Sequence, residues 1–238
     1  MAIETVFLDA GGVLVYPNWY RVSDTLCRHG VQVPAAVLRA AEPHAKKRID
    51  CGETIQATND QQRGWTYFNL VLERAGVELD GRTDAALAEL HEYHRQHNLW
   101  ETVGDEVRPA LTVLRSSGCR LVVVSNANGT LHKAFTRLGI HGAFDAVFDS
   151  CDEGVEKPDP RFFTLALTRT GSDPASTVHV GDLYHVDVVG ARSAGLRAIL
   201  VDEADLYRDC DCPRVRSIAG LPAVIGVRSR FSNSTIEI

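Results

Sequence analysis

Several things are scarce in this 238-residue chain, and each scarcity excludes a class of protein. No run of 18 apolar residues occurs, so no membrane-spanning helix is expected. No basic arm or stripe interrupts a formal net charge of -6, which argues against a nucleic-acid partner. The opening Met-Ala-Ile-Glu-Thr has neither a basic start nor a cleavage site and passes straight into a strand pattern. The six cysteines, at 27, 51, 119, 151, 210 and 212, form no CxxC pair, and no His/Cys cluster matches the 210–212 spacing. Structural zinc is therefore not expected, and reduced thiols in a cytoplasmic protein are the simpler reading. No internal repeat is visible. A polar tail from about residue 228 is expected to be flexible.

What is present is an ordinary globular composition, 45% hydrophobic and 24% charged, in a chain long enough for a full core plus an insert. Val6-Phe7-Leu8 reads as a buried strand ending at Asp9 and Gly11-Gly12. From Pro17 to Asn98 strand-like runs vanish, and Leu26, Leu38, Val71, Leu72, Leu87 and Leu90 recur at helical spacing. This predicts an all-helical insert of about four helices. Strands and helices then alternate. Helices are expected over 108–116, 131–138, 160–170 and 186–194, and strands over 120–124, 146–148, 178–180 and 198–201. Such alternation argues for a parallel sheet with helices on both faces, whose ligands bind beyond the carboxyl ends of the strands.

The polar residues gather where that architecture would place a site. Asp9 follows the first strand and Ser125-Asn126 follows Leu121-Val122-Val123-Val124. Lys157-Pro158 precedes a helix. Gly181-Asp182 follows Val178-His179-Val180, with Asp187 five residues on. Singly, each has a plain structural explanation: a turn, a helix cap or a surface lysine. As an ordered set at matching strand ends they call for another.

These four segments resemble the four motifs of the haloacid dehalogenase superfamily, and the insert lies where that family carries its cap. The resemblance implies a Rossmann-like α/β core over residues 1–16 and 100–227 and an all-helical cap domain over 17–99. It implies a hydrolase in which Asp9 attacks phosphorus to give an aspartyl-phosphate. It assigns Ser125 and Lys157 to catalysis. Gly11, Gly12, Ser125, Asn126 and Lys157 would bind phosphate, and Asp9, the Gly11 carbonyl, Asp182 and Asp187 would bind Mg²⁺, with Asp187 either a ligand or a group orienting the site. The expected partner is a small phosphorylated metabolite, and the chain would be a monomer or homodimer.

One departure shapes the chemistry. Most phosphatases of this family carry a second aspartate, the general acid and base, two residues after the nucleophile. Gly11 stands there, and Val13 replaces the usual threonine. A positioned acid contributes about 10²–10⁴-fold, so alkyl phosphates should suffer and esters with good leaving groups should not. Tyr16 or an acid from the cap could substitute. The same absence admits three other readings. A 2-haloacid dehalogenase fits Asp9-Ala10-x-Gly12, with Arg39 to bind a carboxylate. A phosphonate-cleaving enzyme would need a cap lysine, but Lys46 and Lys47 read as a solvated Lys-Lys-Arg face. The last is a degenerate phospho-ligand binder. Trp19, Tyr20, Trp65, Tyr67 and Phe68 read mainly as the cap's own core. His185 faces the ligand, faces solvent or caps a helix, Asp145 and Asp149 read as loop residues, and Asp159 as a helix cap.

Overall fold

The computed structural model describes residues 2–226; the polar tail expected from 228 lies outside them. Strand β1 (Thr5–Leu8) leads through a tight turn to β2 (Val15–Pro17). Five helices follow: α1 (Trp19–Arg28), α2 (Ala35–Ile49), α3 (Gly52–Ala57), α4 (Asp60–Arg74) and α5 (Gly81–His97). That is one more than the periodicity suggests, because the six-residue α3 is too short to show a period. The chain returns as β3 (Trp100–Val103), antiparallel to β2. This small ribbon is not legible in the sequence, since Tyr16-Pro17 and Glu101 break any strand pattern.

The remainder alternates: α6 (Val107–Ser116), β4 (Arg120–Ser125), α7 (Leu131–Arg137), β5 (Ala146–Asp149), α8 (Ser150–Glu153), α9 (Pro160–Thr170) and β6 (Thr177–Gly181). A π-helical turn over Tyr184–Val189 leads into α10 (Gly190–Ser193), then β7 (Arg197–Val201) and β8 (Arg214–Val215). The regular helix expected over 186–194 is thus partly π-helical, a widening often found at functional sites. The six strands other than β2 and β3 form one parallel sheet in the order β5-β4-β1-β6-β7-β8. No described helix is long and apolar enough to cross a membrane.

Alternation along the strands divides the core between the two faces of the sheet. Val6, Leu8, Leu121, Val123, Val178 and Val180 pack on one side. Phe7, Val122 and Val124 pack on the other against Phe162, Phe163 and Ala166 of α9. Four of the five helices, α1, α2, α4 and α5, bury a third cluster of their own, including Val22, Leu26, Leu38, Val71, Leu87 and Leu90. Their ends are set by side chains. Asn59 and Gln62 form a capping box on α4, as do Asp80 and Thr83 on α5. Asp159 caps α9, with Pro160 in its first turn, as expected.

Asp149 is no loop residue. It is 1% exposed at the end of β5, and its carboxylate accepts from the backbone N–H groups of Gly129, Leu131 and Cys151. It therefore ties the β4–α7 loop to the neighbouring strand tip. Asp149→Ala would leave those donors, the buried Leu131 N–H among them, without this partner. A stability loss of about 2–4 kcal/mol is expected, read as a lower urea midpoint at unchanged slope. A loss under about 1 kcal/mol would mean that water replaces the carboxylate at little cost.

Candidate active site

The register of the sheet builds the site. Leu8 of β1 lies opposite Val123 of β4 and Val180 of β6. The three central strands therefore end together, and Asp9, Ser125 and Asp182 leave the sheet along one edge. Asp9 is held there by its own N–H, which donates to the Val180 carbonyl, and by the Ala10 N–H, which donates to its Oδ1.

Lys157 arrives from the loop before α9. The Asn126 side chain fixes that loop, donating from Nδ2 to the Lys157 carbonyl at 2.9 Å and accepting from the Lys157 N–H at 2.7 Å. The Lys157 ammonium is fully buried, 3.0 Å from Asp9 Oδ1 and 2.7 Å from Asp187 Oδ1. Burial alone would favour neutral lysine, but the two carboxylates outweigh it and hold Lys157 charged. Asp187 also accepts from His179 Nε2 at 2.9 Å and from the Leu183 N–H at 3.0 Å. Against its burial, Lys157 and His179 keep Asp187 well below the usual carboxylate range. His179 itself is kept neutral by burial, and its Nδ1 has no partner among the described residues.

Asp9, Asp182 and Asp187 each offer an oxygen within 4.8 Å of the others. Two glycines make the approach possible. Gly12 has φ +70°, and a Cβ there would fall 1.9 Å from Asp182 Oδ2; a Cβ on Gly181 would fall 2.0 Å from Asp187 Cγ. The Gly11 carbonyl accepts no hydrogen bond from any described residue.

The reading of Lys46 and Lys47 as a solvated face holds for the exposed Lys47 and is corrected for Lys46. Lys47 lies over the Tyr207 ring at 3.7 Å. Lys46 points into the site, 2.8 Å from Asp182 Oδ2 and 2.9 Å from Glu42 Oε1. Glu42 is buried too, accepting from Trp19 Nε1 and the Tyr67 hydroxyl. The Glu42–Lys46 spacing of four residues was the available signal, masked by the neighbouring Lys47 and Arg48. Four carboxylates thus face two ammoniums, leaving an excess of two negative charges. Burial raises Asp9, and raises Asp182 to about 7 even with Lys46 beside it. Hard oxygen donors with that excess suit a divalent ion such as Mg²⁺.

Helices α4 and α5 roof a cavity of about 640 Å³ over Asp9. Trp65, Tyr67 and Phe68 line it, so three of the five aromatic residues read as the insert's own core also face the cleft. Trp19 is buried, and Tyr20 is 83% exposed. Ser125, Asn126, Lys157, Asp182 and Gly11 line the same cavity; Arg39 is exposed and does not. His185 does not line the cavity; it is half-buried, and its N–H and ring bond Asp50. Asp50, missed in the sequence, is buried at the end of α2 and also accepts from the Tyr184 N–H and the Tyr207 hydroxyl. It ties the helical segment to the loop after Asp182.

A family model, haloacid dehalogenase-like hydrolase, matches residues 3–195. The chain belongs to the haloacid dehalogenase-like hydrolases. Over 90 residues, 37% of this chain and 40% of the relative, it is 44% identical to glyceraldehyde 3-phosphate phosphatase of Methanothermobacter thermautotrophicus. The matched stretches span between 35% and 61% of the first four curated relatives. Among solved structures, YfnB of Bacillus subtilis, described as a HAD-hydrolase bound to magnesium, superposes with TM-score 0.69 at 17% identity, covering 95% of this chain and all of that one. A 2-haloacid dehalogenase from Pseudomonas syringae gives 0.58 at 26% identity, covering 94% and 98%.

Proposed function

We propose that the protein is a Mg²⁺-dependent phosphatase that works through an aspartyl-phosphate on Asp9. The observation that carries this reading is the buried Lys157 ammonium shared by Asp9 and Asp187, with the Asp182 carboxylate beside them. A dehalogenase or an inert binder has no evident use for that third carboxylate or for the excess negative charge. The phosphatase name of the relative supports the same direction.

Asp9 carries the attack. One carboxylate oxygen bonds to phosphorus, the ester P–O bond breaks, and its electron pair leaves on the departing oxygen. Water then attacks the phosphorus, inorganic phosphate departs and the Asp9 carboxylate is restored. Lys157 favours the ionised form of Asp9 against the effect of burial and balances the phosphoryl charge. The Ser125 hydroxyl and the Asn126 N–H hold non-bridging oxygens. Gly12 contributes by letting the Asp182 carboxylate approach, since a Cβ there would collide with it.

Asp9, the Gly11 carbonyl and Asp182 would hold Mg²⁺. When bound, the ion would supply Lewis-acid stabilisation of the phosphoryl oxygens. Asp187 belongs with the orienting groups rather than the ligands, because both its oxygens are taken up by Lys157, His179 and Leu183. We further propose that residues 17–99 act as a cap that excludes water from the core formed by residues 1–16 and 100 onward. Lys46, held charged between two carboxylates, is unsuited to the Schiff-base chemistry of a phosphonate-cleaving enzyme, which needs the free amine.

The test is hydrolysis of p-nitrophenyl phosphate and acetyl phosphate with MgCl₂ or with EDTA. Activity should fall at least about 10²-fold in EDTA and return with MgCl₂. Turnover indifferent to EDTA, or chloride release from L-2-chloropropionate, would overturn the reading.

Position 11 gives a second test. A Cβ there would lie 3.3 Å from Trp100 Nε1, so an aspartate would crowd the indole. Gly11→Asp alone should gain little. Combined with Trp100→Phe, which removes the crowding atoms, it should speed alkyl phosphate hydrolysis by about 10–10²-fold and leave acetyl phosphate nearly unchanged. An equal gain on both substrates would show that leaving-group protonation does not limit the enzyme.

A further inference from the structure

The cavity over Asp9 is closed on the leaving-group side by aromatic and aliphatic surface: Trp65 and Phe68 of α4, Leu87 and Leu90 of α5, and Trp100 of β3. Tyr67, Phe68 and Trp100 pack as one group, with ring centroids 5.0–6.1 Å apart. Several of the polar side chains at its margin are already committed, while Gln61 and His91 make no hydrogen bond to a described residue. Asn128 donates to the His94 carbonyl, and Arg63 donates to the Thr58 carbonyl and faces Glu156. Arg95 is bound to Glu92. A sugar or polyol would bury hydroxyls here with few free partners, at a cost for each.

One donor without a partner lies beside position 11. The Trp100 indole N–H donates to no described residue, and it stands beside Gly11 where the usual acid would be. An indole can hydrogen-bond a departing oxygen but cannot protonate it. The leaving group must then depart as a stable anion, as a phenol does with its pKa of about 10.

Two features, the aromatic walls and the Trp100 N–H beside position 11, which cannot protonate, converge on one chemistry. We infer that the substrate is an aryl phosphate, a phosphate monoester of a bulky phenol, with its ring among Phe68, Leu90 and Trp100 and its ester oxygen under the Trp100 N–H. This rests on the assignment of Asp9 as phosphoryl acceptor. The phosphoryl group passes to Asp9, the electron pair of the P–O bond leaves on the phenolate oxygen, and that anion takes its proton from water after release.

The experiment crosses leaving-group chemistry with size. Specificity constants are measured with MgCl₂ for five esters: phenyl phosphate, 2-naphthyl phosphate, 2-(2-naphthyl)ethyl phosphate, glycerol 3-phosphate and ribose 5-phosphate. The naphthyl ester should exceed both polar phosphates by at least about 10³-fold and the naphthylethyl ester by at least about 10²-fold. Two phosphonates, methylphosphonate and 2-naphthylmethylphosphonate, are titrated by calorimetry in parallel. The naphthyl compound should bind at least about 30-fold tighter, and Trp100→Ala should erase most of that difference. Trp100→Phe keeps a ring and should keep the binding preference, while kcat on the naphthyl ester falls about 10-fold. A polar phosphate within tenfold of the naphthyl ester, or equal binding of the two phosphonates, would overturn the inference while leaving the phosphatase reading intact. Tight naphthylphosphonate binding with no turnover of any ester would instead sink the phosphatase reading and, with it, the aryl phosphate as substrate.

Discussion

Asp9→Asn should abolish turnover, by at least about 10⁴-fold on aryl and acyl phosphates, while leaving the fold as stable as before or more so. Asparagine has the same size, and its Oδ1 can still accept from the Ala10 N–H and the Lys157 ammonium, the two bonds that seat Asp9 now. What it loses is the nucleophilic anion. The stability half of the result follows from charge. Burial and the Asp187 carboxylate both disfavour a charged Asp9, and Lys157 must serve the two at once. Neutralising one carboxylate leaves Lys157 to pair with the other. The variant should match or exceed the wild type by about 1 kcal/mol, measured by urea unfolding without added metal. Rates need the substrate present in saturating amounts, so that weakened binding is not mistaken for lost chemistry. A variant retaining more than about 1% of kcat would remove the covalent step. A variant that is inactive and strongly destabilised would show that Asp9 holds the fold together, and its inactivity would then say nothing about attack.

The site's linear parts were legible in the sequence because of how a parallel sheet is built. Three strands in register end on one edge, so the residue at or just past each strand's end is fixed by counting: Asp9, Ser125 and Asp182. The continuous apolar runs Val6-Phe7-Leu8 and Leu121–Val124 mark strands buried on both faces, which the two core clusters confirm. What could not be read depends on how the five inserted helices meet the sheet. Lys46 looks solvated in sequence because its neighbours are Lys47 and Arg48, yet a helix places consecutive residues about 100° apart and only Lys46 turns inward. Asp50 carries no motif at all, and only the fold brings Tyr184, His185 and Tyr207 to it. Trp100 was hidden at the start of a ribbon whose sequence lacks alternation. His179 sits in a strand of valines, where parity assigns it to a buried face but gives no partner. Both faces and the carboxylate edge were therefore available in advance. The cations and aromatics contributed from across the cleft were not.

Lys157→Met should give the other large effect, and it should strike stability as well as activity. The ammonium is fully buried between Asp9 and Asp187, so its removal leaves those carboxylates together in a poorly solvated site with no counter-charge. Breaking a buried pair from one side costs about 3–5 kcal/mol, here a fall in midpoint temperature of roughly 6–20 °C for a chain of this size. Methionine nearly matches the volume of lysine, so the loss reports charge rather than a cavity. Pairing the change with Asp187→Asn should return more than half of the stability and none of the activity, because the second substitution removes the charge that the first exposed. The pH dependence has a definite sign. Lys157 has its pKa raised above 10.5 by folding, so its contribution is complete below that value and is lost only as pH rises through the still higher folded pKa. Asp187 is lowered below 3.8, so its contribution is present above that value and is lost as pH falls through the folded pKa. The gap in stability between wild type and Lys157→Met should therefore stay wide through neutral pH and narrow on the acid side, where protonation of the stranded carboxylates relieves the variant first. A gap that instead narrowed between pH 7 and 9 would mean that Lys157 loses its proton there, and that the charge balance assigned to the site is wrong.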